Sequence, residues 1–125
     1  MKLSTAGQSP RCSVLIVDDD QVTRNAMAAL LQALGYQVCS VGSVIEGLAK
    51  LDGQDCAVLD LELPDGLGTH ILHRIRNEGR PIRVAVCSGI TDEPLLATAR
   101  DLGAELILRK PIDVNALLRW LGKTA

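Results

Sequence analysis

Three consecutive aspartates, Asp18, Asp19 and Asp20, follow the apolar run VLIV, and a fourth, Asp60, ends the run CAVLD. Carboxylates this close repel one another strongly in a low-dielectric crevice, so their clustering calls for something to offset the repulsion. A hard divalent cation such as Mg²⁺ does so, because it takes oxygen ligands and binds through one or two carboxylates plus a substrate phosphate. Asp60 stands at the edge of an apolar strand with room beside it for a metal held by Asp18 and Asp19, and a carboxylate so placed can act as a nucleophile toward phosphorus. Phosphoryl transfer asks mainly for positioning and for cations around the equatorial oxygens. Lys110 supplies a cation and Ser88 a hydroxyl, while the backbone N–H groups that follow Asp60 and Ser88, those of Leu61 and Gly89, complete a cradle. Gly89 lets the backbone approach closely. Each residue alone has a plainer reading. Asp20 is a good helix N-cap, Asp60 a turn acid before Pro64, Lys110 a solvated lysine, and Ser88 a former of local turns.

What brings these residues together is the order of elements. Residues 13–17, 37–41, 56–60, 82–88 and 105–109 read as strands, three of them almost uninterrupted apolar runs that suit a parallel sheet covered on both faces. Between them, amphipathic stretches near 21–34, 43–52, 67–78, 93–102 and 113–122 read as helices. In the first, Val22, Ala26, Ala29, Leu30 and Leu34 recur at helical spacing and Gly35 supplies the stop. The last carries Val114, Leu117, Leu118 and Leu121 on one stripe. Ser43, Thr91 or Asp92, and Asp113 are the expected N-caps of the second, fourth and fifth helices. Five strand-then-helix units make an α/β doubly wound domain, predicted to span 12–123 after a flexible tail over 1–11. In such a sheet ligands bind outside the carboxyl ends of the strands, and Asp18, Asp60, Ser88 and Lys110 all fall there.

Composition narrows the remaining classes. The chain has 125 residues, the size of one compact domain, and a formal net charge of −2, which gives no general basic surface for nucleic acid. Phe is absent, with one Tyr and one Trp, so aromatic stacking on bases is almost unavailable. No apolar run approaches the ~20 residues of a membrane span and no signal-peptide pattern opens the chain, which predicts a cytoplasmic protein with no membrane partner. Cys12, Cys39, Cys56 and Cys87 show no paired spacing and read as reduced thiols.

Taken together, VLIVDDD, AVLDLELPDGLG, VAVCSG and LRKP resemble, in that order and at those separations, the receiver domain of bacterial two-component response regulators, over about 12–123. The resemblance implies a flavodoxin-like five-stranded parallel sheet of order 2-1-3-4-5 with five helices. It implies Asp60 as phosphoacceptor and Mg²⁺ as cofactor, held by Asp60, by Asp18 and Asp19, with Asp19 ahead of Asp18 as direct ligand, and by the backbone carbonyl of Glu62. Ser88 and Lys110 would contact the phosphoryl group. A histidine kinase or histidine phosphotransfer protein would be the donor, and a downstream effector the recipient of the signal. No turnover enzyme is implied, at most slow self-catalysed phosphorylation and dephosphorylation. The family's switch couples the strand 4 hydroxyl, here Ser88, to an aromatic in strand 5, whose place is taken by Ile107. Ile112 is likewise aliphatic, and Ile90 offers no polar group to position water, which implies slow dephosphorylation. The usual contact face for partners and homodimers would include Leu106, Leu108, Arg109 and Trp120.

Two other functions compete. A haloacid-dehalogenase-like phosphatase also uses a strand-end aspartate, but its second Asp would stand where Glu62 does. A phosphorylation-independent docking module would not need the full acidic and basic set. His70 and His73, three apart on the third helix, read as solvated positions rather than a zinc site, and Arg74, Arg76, Arg80 and Arg83 as a loose solvated basic stretch. Trp120 falls beside the last apolar stripe, either at its edge or on a contact surface.

Overall fold

The computed structural model describes residues 11–89 and 92–123. The predicted tail lies outside them except for Arg11, which opens the first strand one residue before the expected boundary, and Ile90 and Thr91 lie outside as well. The chain runs β1 (Arg11–Val17), α1 (Gln21–Ala33), β2 (Tyr36–Val41), α2 (Val44–Leu48), β3 (Cys56–Asp60), β4 (Glu62–Leu63), β5 (Gly66–Leu67), α3 (Thr69–Asn77), β6 (Arg83–Ser88), α4 (Glu93–Asp101), β7 (Leu106–Arg109) and α5 (Val114–Leu121). The main sheet is parallel with order β2-β1-β3-β6-β7. With the short β4–β5 hairpin set aside, this is the predicted 2-1-3-4-5. The hairpin was not anticipated, because two-residue strands carry no periodicity.

Alternation along β1 divides the core. Leu15 and Val17 face a cluster with Leu59, Val86, Ile71, Leu72, Ile75 and Leu96, under α2, α3 and α4. Val14 and Ile16 face the other side with Val58, Ala85, Leu31, Leu117, Trp120 and Leu121, under α1 and α5. Fully burying each Leu, Ile or Val contributes about 1.5–3 kcal/mol, which is why the nearly continuous apolar strands sit in the middle of the sheet.

The helices start where the expected caps stand. The side chains of Ser43, Asp92 and Asp113 accept the N–H groups of Glu46, Leu95 and Ala116. Gly35, at φ 95°, ends α1 with its N–H on Gln32 O at 3.0 Å.

Two expectations about helix faces are corrected. Leu31 is the buried residue of α1, with Met27 and Ala28 packed beside it, whereas Val22, Ala26, Ala29, Leu30 and Leu34 are exposed, Val22 to 79%. The helix lies over one edge of the sheet, so only the Met27–Ala28–Leu31 row turns inward. On α5, Val114 is exposed and Trp120 takes an inner place at 6% exposure.

Candidate functional site

The sheet register builds the site. Val17 pairs with Leu59, so Asp18 emerges beside Asp60, and Asp60 itself pairs with Cys87, one residue before Ser88. Ser88 pairs with Arg109 and its carbonyl accepts the Lys110 N–H at 3.0 Å, which sets Lys110 next in line. Strand ends β1, β3, β6 and β7 thereby converge on one rim. The Lys110–Pro111 peptide bond there is cis.

Asp60 is 5% exposed. Its Oδ2 accepts from Lys110 Nζ at 2.8 Å and its Oδ1 from the Glu62 N–H at 3.0 Å. Asp18 is also buried; its Oδ1 accepts the Asp20 N–H at 2.9 Å and its Oδ2 lies 3.5 Å from Lys110 Nζ. Asp19 is exposed. One carboxylate oxygen from each of Asp18, Asp19 and Asp60 falls within 4.8 Å of the other two. Asp20 caps α1 through the Val22 N–H at 3.1 Å and also takes the Thr23 hydroxyl at 2.8 Å, so it stays out of the cluster.

Charge in this crevice is perturbed as the crowding demands. Burial pushes the Asp18 carboxyl up, and the Asp60 charge adds to this against the Asp20 N–H and Lys110, which pull it down. Burial works to lower Lys110, but the hydrogen bond from Lys110 to Asp60 and the charges of Asp60 and Asp18 outweigh it and leave the ammonium raised. Cys87 beneath them is pushed up to about 12 by burial, which makes it an inert thiol. The three carboxylates form an all-oxygen donor set beside the Lys110 ammonium. That set fits a hard divalent cation such as Mg²⁺, whose preference is for oxygen.

The backbone cradle differs from expectation at two points. The Leu61 N–H is already bonded to Cys87 O at 3.0 Å, because the β3–β6 ladder runs one residue past Asp60. The N–H turned toward the Asp60 carboxylate belongs to Glu62 instead. At Gly89 an added Cβ would meet only Lys110 Cδ at 3.9 Å, an ordinary contact, so close approach does not require glycine there. Gly68 is the glycine the site requires, since a Cβ on it would run into the Asp60 carbonyl oxygen.

Further positioning contacts were invisible to local patterns. Arg24 Nη1 donates to Asp18 O at 2.7 Å and holds the acidic loop from α1. Asp65, in the hairpin turn, accepts the N–H groups of Val44 and Ile45. Its partner Val44 lies 21 residues away in the chain.

The expected contact face is only partly a surface. Leu108 and Trp120 are buried in the second core cluster, so these two are corrected. Leu106 is half-buried and Arg109 exposed. Ile107 packs half-buried against the first cluster, and Ile112 against the second. His70 and His73 are exposed on α3. Arg76 and Arg83 are committed inside the molecule: Arg76 donates to the carbonyls of Leu102, Ile82 and Gly103. Arg83 pairs with Glu105. A largely apolar groove of about 460 Å³ between α1 and the start of α5, lined by Val22, Ala26, Leu30, Ile112 and Val114 among others, reaches the site through Lys110. Among the described residues no helix is long and apolar enough to cross a membrane.

Comparison with known proteins agrees with this geometry. The family described as the response regulator receiver domain matches residues 14–121. The acid tolerance regulatory protein ActR of Rhizobium meliloti is 36% identical over 114 residues, 90% of this chain and 59% of that protein. The transcriptional regulatory protein FixJ of Azorhizobium caulinodans is 32% identical over 84% of this chain and 51% of its own length. The chain thus spans little more than half of those relatives. Among solved structures, a CheY-like response regulator receiver domain protein from Methanospirillum hungatei superposes with TM-score 0.83 at 28% identity, covering 90% of this chain and 92% of that one. The signal receiver domain of an HD domain-containing protein from Pseudomonas fluorescens gives 0.84 at 26%, covering 91% and 94%.

Proposed function

Given that this chain belongs to the response regulator receiver domain family, we propose that a carboxylate oxygen of Asp60 accepts a phosphoryl group from a phosphohistidine donor in the bacterial cytoplasm and that the acyl phosphate switches binding of an effector. The observation that carries this reading is the buried Asp60 carboxylate with Lys110 Nζ at 2.8 Å and two further acids beside it. The Asp60 oxygen forms a bond to phosphorus while the bond from phosphorus to the donor imidazole nitrogen breaks. The electron pair of that bond stays on the imidazole. Mg²⁺, when held by Asp18, Asp19, Asp60 and the Glu62 carbonyl, supplies positive charge to the transferring oxygens. Lys110 exchanges its carboxylate partner for a phosphoryl oxygen, and the Ser88 hydroxyl and the Glu62 and Gly89 N–H groups provide donors to the rest.

The chain itself is a phosphoacceptor rather than a turnover enzyme. Family membership removes the haloacid-dehalogenase alternative, and phosphoryl uptake at Asp60 is what separates this reading from phosphorylation-independent docking. Incubation with a small acyl phosphate and Mg²⁺ tests this. The wild type is expected to gain the mass of one phosphoryl group and Asp60→Asn none; an equal gain in both would sink the reading.

The donor's seat is the groove beside Lys110. An amphipathic helix laid against Val22, Ala26, Leu30 and Val114 covers apolar surface and carries its histidine to the Asp60 end of the same groove. Val22→Asp is expected to slow transfer from a kinase that loads the wild type by roughly 10-fold, because one buried interface anchor is typically worth 1–2 kcal/mol. Its rate with the small acyl phosphate stays unchanged.

A further inference from the structure

Helix α2 has five residues, too few to be stable by itself, and its first N–H groups need partners from outside the helix. Ser43 Oγ accepts the Glu46 N–H at 3.1 Å, and Glu46 Oε1 accepts the N–H of Gly42, the residue before the cap, at 3.2 Å, a variant of the capping box. That leaves Val44 and Ile45. Both are taken by one carboxylate from a different part of the chain: Asp65 Oδ1 accepts the Val44 N–H at 2.7 Å and Oδ2 the Ile45 N–H at 3.0 Å. The same two N–H groups, Ile45 first, hold the Asp65 carboxyl below the usual carboxylate range.

Asp65 lies in the turn of the β4–β5 hairpin, whose only pairs are Glu62 with Leu67 and Leu63 with Gly66. A ladder this short is marginal without support. Its root is tied to the site, through the Glu62 N–H on Asp60 Oδ1 and the Gly68 N–H on Leu61 O at 3.0 Å. Its tip is tied by Asp65. With the tip released, Glu62 keeps its hydrogen bond only as one contact at the base of a loose loop.

We propose that Asp65 is a positioning residue for the cation and phosphoryl site: by clamping the hairpin tip to the first turn of α2, it fixes the backbone of Glu62 against Asp60. The proposal rests on the cation role given to the Glu62 carbonyl above. Asp65 touches neither cation nor phosphoryl group and acts through Glu62.

The test pairs Mg²⁺ titration with amide hydrogen exchange on the whole chain. In Asp65→Ala, the Val44, Ile45 and Glu62 N–H groups are expected to exchange faster, and the Mg²⁺ dissociation constant to rise about 10-fold, the scale seen when a partner supporting a metal ligand is removed. Asp65→Asn keeps one acceptor oxygen and should fall between, at roughly 2- to 5-fold; it decides the matter if the alanine variant does not fold. Faster exchange at Val44 and Ile45 with Mg²⁺ affinity within about twofold of wild type overturns the proposal, and so does unchanged exchange at both. A wild type that binds Mg²⁺ but gains no phosphoryl group would instead overturn the function proposed above and leave the role of Asp65 standing.

Discussion

Two ionic clusters lie at opposite ends of the sheet, and they are balanced differently. At the amino end, Glu105 Oε1 accepts from Arg83 Nε at 2.8 Å and from Trp120 Nε1 at 2.9 Å, while the guanidinium lies 4.9 Å from the centre of the indole ring. One carboxylate meets one guanidinium there, and the indole N–H is satisfied. At the carboxyl end, the carboxylates of Asp18, Asp19 and Asp60 gather around the single ammonium of Lys110, and Arg24 directs its guanidinium to a carbonyl oxygen instead. The first cluster ties β6, β7 and α5 together; the second holds an excess of negative charge that its own residues leave in place. Buried polar groups that are fully paired rigidify a fold, whereas an unbalanced set calls for a ligand. The contrast also accounts for the last helix. Its one aromatic ring is held at the amino end by Glu105 and Arg83.

If the amino-end cluster is structural, breaking it should lower stability. Glu105→Ala leaves the Trp120 N–H, on a residue only 6% exposed, without that acceptor, and removes the Arg83 partner. The expected loss is about 1–3 kcal/mol by chemical denaturation, the range for an unsatisfied buried donor. Phosphoryl uptake at Asp60 should be unaffected. A pH titration gives a milder version. Partial desolvation works to raise the Glu105 carboxyl, but the Trp120 and Arg83 hydrogen bonds outweigh this and leave it lowered. A depressed folded value means the contribution is present above the unfolded value of 4.5 and is lost as pH falls through the folded one. A variant as stable as wild type would break the comparison at this end.

The difference between the clusters also explains what could be read in advance. Asp18, Asp60, Ser88 and Lys110 were legible because polar residues that end apolar runs stand out, and parallel topology sends all such ends to one rim. The strand order followed from the same runs. The α1 face was misread because Val22–Ala26–Leu30 and Met27–Ala28–Leu31 are overlapping rows at helical spacing, and periodicity does not say which row turns inward at a sheet edge. Leu61 was misassigned because its N–H is claimed by a neighbouring strand, a matter of register. Trp120, Asp65 and Arg24 act on partners 15, 21 and 6 residues away, through contacts fixed only by the fold. Long-range pairs of single polar groups leave no local signature.

The carboxyl-end cluster should respond with the opposite sign, though more weakly. Asp18→Asn removes one of the crowded charges, and its side-chain oxygen can still accept the Asp20 N–H. Without Mg²⁺ at neutral pH the variant is expected to be more stable than wild type, because burial, with the Asp60 charge added, disfavours the Asp18 carboxylate by more than the Asp20 N–H and Lys110 favour it. The pH dependence follows from the raised Asp18 carboxyl. An acid whose folded value lies above its unfolded value of 3.8 binds more protons when folded, so the wild type loses stability as pH rises through that interval and recovers it on acidification. The gain from Asp18→Asn should therefore fade as pH is lowered toward 3.8. Added Mg²⁺ should reverse the order, because only the wild type keeps the full carboxylate set and gains by binding. An Asp18→Asn protein less stable than wild type without Mg²⁺ would mean that the acids are as well balanced as Arg83 and Glu105, and the distinction between the two ends would fail.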